Sequence, residues 1–295
     1  MTRPTHRNLS LGAGVQSSTV LLLAARGEIA PFTAAIFADT GWEPSGVYAQ
    51  LERLRRIAEP AGIPIVRVSA GNIRHDALDP AHRFASMPLY CLSPQGRRGM
   101  ARRQCTSEYK IKPIKREVRR RLGYPHPARV PAGLIAEMAI GISLDEITRA
   151  RDADVGYLRH VFPLLDLGWR RRDCVAYLTR HGLGDTPKSS CLGCPFHDDA
   201  FWVRLKTEHP AQWADAVAFD HAIRHGSPRA TADGHPRRGQ FFLHHQRVPL
   251  DQVVLRPRSR AQPEVPGCGP WTCPHPGEPA DTPDPALPAR EGSGG

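Results

Sequence analysis

A chain of 295 residues with 40% apolar content can bury one large core or two smaller ones. No apolar run approaches the roughly eighteen residues a membrane span needs, and the N-terminal "MTRPTHRNLSLG" lacks the apolar block of a secretory signal, so the expectation is a cytoplasmic protein with no membrane partner. Lys and Arg number 40 against 29 Asp and Glu, and this net charge of +11 suits an anionic partner such as a nucleotide, an oxyanion or a nucleic acid.

The elements follow in chain order. Residues 8–11 read as a short strand, and Ser17 to Ala25 as a helix. "FTAAIFADTG" is a second strand ending in Asp39 and Thr40. "SGVYAQLERLRRIAEPAG" has helical spacing, with Val47, Leu51, Leu54 and Ile57 on one face. "IPIVRVSA" is a third strand. Residues 71–104, rich in Arg, Pro and Gly, read as a long loop or lid, and "KPIKREVRRRLG" as a basic helix closed by Gly123. "AEMAIGIS" and "HVFPLLDL" read as the fourth and fifth strands, the charged stretch "LDEITRARD" lying between them. "RRRDCVAYLTRHG" is a helix capped at Gly182. This order predicts an α/β fold: a doubly wound parallel sheet of about five strands, with a smaller helical C-terminal part. The expected domains are a nucleotide-binding domain over 1–185, a cysteine knuckle with helical extension over 186–255, and a disordered Pro- and Gly-rich tail over 256–295.

Four stretches carry chemistry. In "LSLGAGVQSSTV", glycines let the backbone approach a ligand, and the helix start offers amides and a positive dipole end. Ser10, Gly12, Gly14, Gln16, Ser17 and Ser18 are therefore candidates to hold a phosphate or sulfate; a simple packing turn is the alternative. Asp39 and Thr40 end the second strand, where polar groups meet nucleotide or metal, or where an Asp caps the next helix. In "RRQCTSEYKIKPIKR", Arg102, Arg103, Lys110 and Lys112 suit an anion clamp, against the reading of a solvated basic face.

The cysteines form the fourth feature. There are seven: Cys91, Cys105, Cys174, Cys191, Cys194, Cys268 and Cys273. An odd count without a signal peptide argues against a disulfide framework. "SSCLGCPFH" points two sulfurs, Cys191 and Cys194, at one metal, with Cys105 as the third ligand. Zinc would want a fourth from Cys268, Cys273 or His197; an iron–sulfur cluster or a redox dithiol are the other readings. Glu146 and Arg149 follow the fourth strand as lesser pocket candidates, or as an i,i+3 surface ion pair.

These pieces, in this order, resemble the phosphoadenosine-phosphosulfate reductase-like branch of the PP-loop superfamily, the adenine nucleotide alpha hydrolases. "GAGVQS", Gly12 to Ser17, falls on the family's Ser-Gly-Gly-x-Asp-Ser, with Gln16 in place of the Asp, and "DTGW" resembles the reductases' "DTGY/H". "CTSEYKIKPI" resembles the cluster motif of adenylylsulfate reductases, with Cys105, Lys110 and Pro113 matched and Thr106 and Tyr109 departing from it. Cys191 and Cys194 match the later C-x-x-C. The reductases' Glu-Cys-Gly-Leu-His motif is absent.

The resemblance implies an enzyme that binds ATP or a sulfonucleotide, with magnesium as an accompanying ion. Arg103, Lys110 and Asp39 would be catalytic. Cys105, Cys191 and Cys194 would hold a four-iron, four-sulfur cluster, with zinc the alternative and Cys268 or Cys273 the candidate fourth ligand. Sulfur transfer to tRNA, DNA or a small-molecule acceptor is one implied activity, and the basic helix Lys115 to Arg121 would then track a phosphate backbone. Sulfonucleotide reduction with a thioredoxin-like donor is another. A nucleotide- or nucleic-acid-binding protein with structural zinc is the third reading.

Overall fold

The computed structural model describes residues 6–83, 85–234, 238–256 and 270–271. The chain forms two compact units. The first takes the residues up to 72, 106–191 and the Pro270–Trp271 pair; the second takes 73–105 and the chain from 192 to 256. Cys268 and Cys273 lie outside the described residues, as does most of the expected tail.

Along the chain, β1 (His6–Leu11), α1 (Val15–Ala25), β2 (Ala34–Asp39), α2 (Ser45–Ala58) and β3 (Ile65–Ser69) come first. They lead into α3 (Ile73–Leu78), β4 (Tyr90–Leu92) and β5 (Arg98–Met100) of the second unit. The first unit resumes with a π-helical turn (Thr106–Ile111) that runs into α4 (Lys112–Arg121). It continues through β6 (Ala136–Ala139), a 3-10 turn (Leu144–Arg149), β7 (Leu158–Val161), α5 (Pro163–Asp166) and α6 (Arg171–Arg180). The second unit closes with α7 (Asp199–Glu208), α8 (Pro210–Ala222), α9 (Pro228–Ala232) and β8 (Gln240–Phe242).

In the first unit five strands form one parallel sheet in the order β3-β2-β1-β6-β7. Strand β2, "AAIFAD", is buried throughout, because a parallel sheet is covered on both faces. Its residues alternate between two cores. Ala35 and Phe37 join α1, α2 and α6 on one face, while Ile36 and Ala38 meet Ile114 and Val118 of α4 on the other. The strand order reverses direction between β1 and β6. In open α/β sheets that switch point opens a crevice at the strands' C-terminal ends.

Helix ends follow their sequence signals. Gly182 lies one residue past the cap of α6 at φ +75°, and the Leu183 amide donates to the Leu178 carbonyl at 2.8 Å. A left-handed glycine there closes the helix without a Cβ penalty.

Two sequence expectations are corrected. The fifth strand is Leu158–Val161, not "HVFPLLDL": Pro163 opens α5, where its fixed φ and missing N–H suit a first helical turn. Residues 71–104 are not an irregular lid of the first domain. They hold α3, β4 and β5, and β4 pairs antiparallel with both β5 and β8, which ties them to the C-terminal segment. The two compact units divide at 72, 105 and 191. Several charged side chains of α4 have partners within the first unit. Lys115 pairs with Asp154 and Arg120 with Glu117, Arg121 donates to the Thr33 carbonyl, and Arg119 donates to the Tyr124 and Ala128 carbonyls. Among the described residues no helix is long and apolar enough to cross a membrane.

Candidate functional site

The glycine turn sits at the switch point of the first unit. Gly12 to Gly14 join β1 to α1, whose first-turn amides lack intrahelical acceptors. The Gly12 amide donates to Ser17 Oγ at 3.1 Å, closing the turn on its own helix. Ala13 is held at φ +56°, a left-handed conformation that costs about 1–2 kcal/mol for a residue with a Cβ. Strain of this kind persists where the surroundings over-determine the backbone.

Those surroundings leave no room for larger residues. A Cβ on Gly14 would lie 2.9 Å from Ser189 Cβ, and one on Gly12 would lie 3.0 Å from Ser189 Oγ. On the other side, a Cβ on Gly141 would lie 2.9 Å from the Ser17 amide nitrogen and 3.0 Å from the Gln16 carbonyl carbon. The chain that leaves β6 and the chain that leads to Cys191 thus both run against the turn. Ser10 and Ser18, 4% and 0% exposed, carry hydroxyls with no hydrogen-bond partner among the described residues. Burying a hydroxyl without a partner is costly, so each is a candidate to take a partner from a ligand.

Gln16 is buried and oriented. Its amide donates to Ser143 Oγ at 3.1 Å and to Glu146 Oε2 at 2.8 Å, while Arg149 holds Glu146 Oε1 at 2.7 Å. Glu146 is 7% exposed, so the Glu146–Arg149 pair is part of the loop's support rather than a surface ion pair. Burial raises the Glu146 pKa above the ordinary carboxylate value, against the opposing pull of Arg149 and Gln16. A proton held more tightly in the folded state stabilises it fully below the ordinary value. That contribution disappears as pH rises through the raised one. Glu146→Gln is therefore expected to flatten the fall in thermal midpoint across that pH window; an unchanged profile would contradict the assignment.

Strand β2 delivers a second cluster. The Asp39 carboxylate accepts from the Gly41 amide at 2.8 Å, from Tyr48 Oη at 3.0 Å and from Arg67 Nε at 2.6 Å. Burial, followed by the Asp39 charge, pushes the Tyr48 phenol up to about 12, so it remains a donor at neutral pH. Asp39 thereby shapes the "DTGWE" turn. That turn presents Thr40, whose hydroxyl lies 2.9 Å from Glu43 Oε1 and 3.3 Å from Cys191 Sγ. Cys191 Sγ is also 3.6 Å from Glu43 Oε1, and the buried Glu43 Oε2 has no partner among the described residues. Glycine turn, "DTGWE" turn and Cys191 are thus joined through Ser189 and Thr40.

Lys110 lies on the π-helical turn, which packs against β2, and is 6% exposed. Pro113 explains the widened turn: it has no N–H for the Tyr109 carbonyl and would clash with it in an α-helix. Lys112 is exposed and paired with Glu108 at 2.7 Å. Arg102 and Arg103 belong to the second unit, Arg102 exposed and Arg103 half-buried. Of the proposed metal ligands, Cys191 ends the first unit, and Cys105 and Cys194 belong to the second. All three thiols are partly exposed, and soft donors of this kind suit iron–sulfur or zinc. Cys174 is different: it is fully buried, and burial pushes its thiol up to about 12, which makes it a packing residue. His197, the alternative ligand, is 6% exposed and stacked on Phe201 at a ring distance of 3.4 Å.

Sequence reasoning missed Glu43, Tyr48, Arg67, Gly141, Ser143 and Ser189. Only Gly141 left a signal: a glycine inside the strand-like "AIGIS" marks a close backbone approach.

No family model and no curated protein matches the sequence. Among solved structures, the phosphoadenylyl-sulfate (PAPS) reductase from Candida auris, in a phosphate complex, matches at 13% identity over 64% of this chain and 81% of that one, with a TM-score of 0.37. The U34-tRNA thiolase NcsA from Methanococcus maripaludis, with its 4Fe-4S cluster, matches at 13% identity over 76% of this chain and 74% of that one, with a TM-score of 0.39.

Proposed function

We propose that this chain is an adenine-nucleotide-binding enzyme of sulfur metabolism, which activates an acceptor with ATP and transfers sulfur to it. The observation that carries the reading is the tightly packed glycine turn at the switch point, with Cys191 reached through Thr40 of the neighbouring turn. Ser10, Gly12, Gly14, Gln16, Ser17 and Ser18 hold the phosphates against the amide end of α1, where the helix dipole favours anions. An acceptor carbonyl oxygen attacks the α-phosphorus, and the bond to the leaving pyrophosphate breaks. A sulfur nucleophile then displaces AMP from the activated carbon.

In this scheme Lys110 and Arg103 balance negative charge on the transferred group, and magnesium accompanies the phosphates. Asp39 is a positioning residue that fixes Thr40 and Glu43. The three thiols of Cys105, Cys191 and Cys194 fit a four-iron, four-sulfur cluster by donor chemistry. When bound, such a cluster would supply the sulfur that displaces AMP. The acceptor belongs to the class of nucleobase or small-molecule carbonyls.

The test uses the full chain purified without oxygen. AMP and pyrophosphate release from ATP, rising with an added carbonyl acceptor such as a uridine-containing RNA, is expected. Sulfite release from a sulfonucleotide with a thioredoxin-like donor, and no pyrophosphate from ATP, would replace this reading with reduction. A zinc protein without turnover would reduce it to nucleotide binding.

A further inference from the structure

The second unit carries a cluster of ligating side chains that the sulfur chemistry does not use. Asp199, His244 and His245 each offer one donor atom, and the three atoms lie within 4.8 Å of one another. We propose that these residues form a separate binding site for a first-row divalent cation of the zinc, cobalt or iron(II) class. Two imidazole nitrogens and one carboxylate oxygen are an intermediate donor set, chemically distinct from the cysteine thiols. Three protein ligands leave a position open for water or an exogenous group.

The site is built from several directions. His244 and His245 are neighbours in sequence, and in an extended strand they would face opposite ways. Here the chain turns after β8, and their rings lie 4.1 Å apart. The turn is closed by the Arg247 amide on the His244 carbonyl at 3.0 Å, with Arg247 at φ +58°, a strained conformation for a side-chain-bearing residue. The Arg247 guanidinium holds it in place by donating to the carbonyls of Cys91, Gly99 and His245. Asp220, fully buried on α8, accepts the Leu243 and Leu250 amides at 2.8 and 3.0 Å and so brackets the same turn.

Asp199 opens α7, and its Oδ2 accepts the Arg256 amide at 2.9 Å. Its Oδ1 therefore faces His244 Nε2, at 3.0 Å. That separation fits a hydrogen bond, and it equally fits two ligands on one cation with bonds of about 2.0–2.2 Å. His244 is 1% exposed and His245 is exposed, so the cluster is anchored in the interior and reachable from solvent. As the ring stands, Nδ1 accepts the Gln246 amide at 3.3 Å and Nε2 carries the proton toward Asp199. A cation takes the Nε2 lone pair, and the proton it displaces moves to Nδ1, where the long Gln246 contact gives way. No electrons change hands.

Cobalt(II) distinguishes this site from the thiols, because thiolate ligation adds a near-ultraviolet charge-transfer band and nitrogen or oxygen ligation does not. The full chain is titrated with cobalt(II) under anaerobic conditions and compared with His245→Ala and Asp199→Asn. His225→Ala, which changes another exposed histidine of the same unit, is the control. The expected result is one cobalt per chain fewer, or bound on the order of tenfold or more weakly, in both site variants. The charge-transfer band of the cobalt-loaded His245→Ala protein, and the thermal midpoint of its cation-free form, should match wild type. Equal cobalt binding in wild type and His245→Ala would overturn the proposal and leave Asp199–His244 a hydrogen-bonded pair only. So would loss of the charge-transfer band together with the bound cobalt.

Discussion

Gly141→Ala is expected to lower stability by about 1–3 kcal/mol, the usual cost of overpacking a close contact, and to lower ATP-dependent turnover on the order of a hundredfold. Its added Cβ would meet the Ser17 amide nitrogen at 2.9 Å, the Gln16 carbonyl carbon at 3.0 Å and Ser17 Cα at 3.1 Å. All three are backbone atoms of the first turn of α1, so no side chain can rotate away. The helix start must move, and with it the amides proposed to face the phosphates. Gly156→Ala is the matched control, since a Cβ there meets nothing within 4 Å. Thermal unfolding and ATP titration of the two variants read the difference. Equal behaviour would remove the glycine turn from the site.

The second large effect separates positioning from proton transfer at Asp39. Its two oxygens are committed to the Gly41 amide, Tyr48 and Arg67. Asp39→Ala leaves two of these donors without their acceptor and is expected to cost roughly 2–3 kcal/mol, the exposed Arg67 recovering part of its loss in water. Turnover should fall with it, because Thr40, Glu43 and Cys191 lose the turn that holds them. Asp39→Asn keeps one acceptor oxygen for Gly41 and Tyr48. Turnover within about tenfold of wild type is therefore expected, and its pH profile should be unshifted. A general base replaced by an amide loses about 10²–10⁴ in rate, so a loss of that size with intact stability would make Asp39 catalytic.

The part of the fold that the sequence discloses is the part whose burial leaves a clear pattern in the residues. Strand β2 is a continuous apolar run because both faces are covered, and α2 shows its period from Val47 to Leu54 because one face is buried and the other is exposed. Asp39, Thr40 and the glycine turn are legible because polar residues at a strand's C-terminal end stand out against such runs. What the sequence hides is convergence through space. Ser189 packs on Gly14, Glu146 reaches Gln16 and Arg67 reaches Asp39 across long chain separations, and nothing local announces those contacts. Glu146 looked like one half of a surface pair because the i,i+3 spacing to Arg149 is the same whether the pair is exposed or buried. Strands β4, β5 and β8 have three residues each, too few for a period of two to show. The apolar run continues through Pro163, so composition alone does not separate the end of β7 at Val161 from the start of α5.

The measurement that bears most directly on thiol-held sulfur chemistry at this site is iron and sulfide analysis, with a visible spectrum, on the full chain purified without oxygen beside Cys105→Ala. The account expects broad visible absorbance with iron and acid-labile sulfide in the wild type, and loss of all three in the variant. A colourless wild-type protein containing zinc and no sulfide would contradict it.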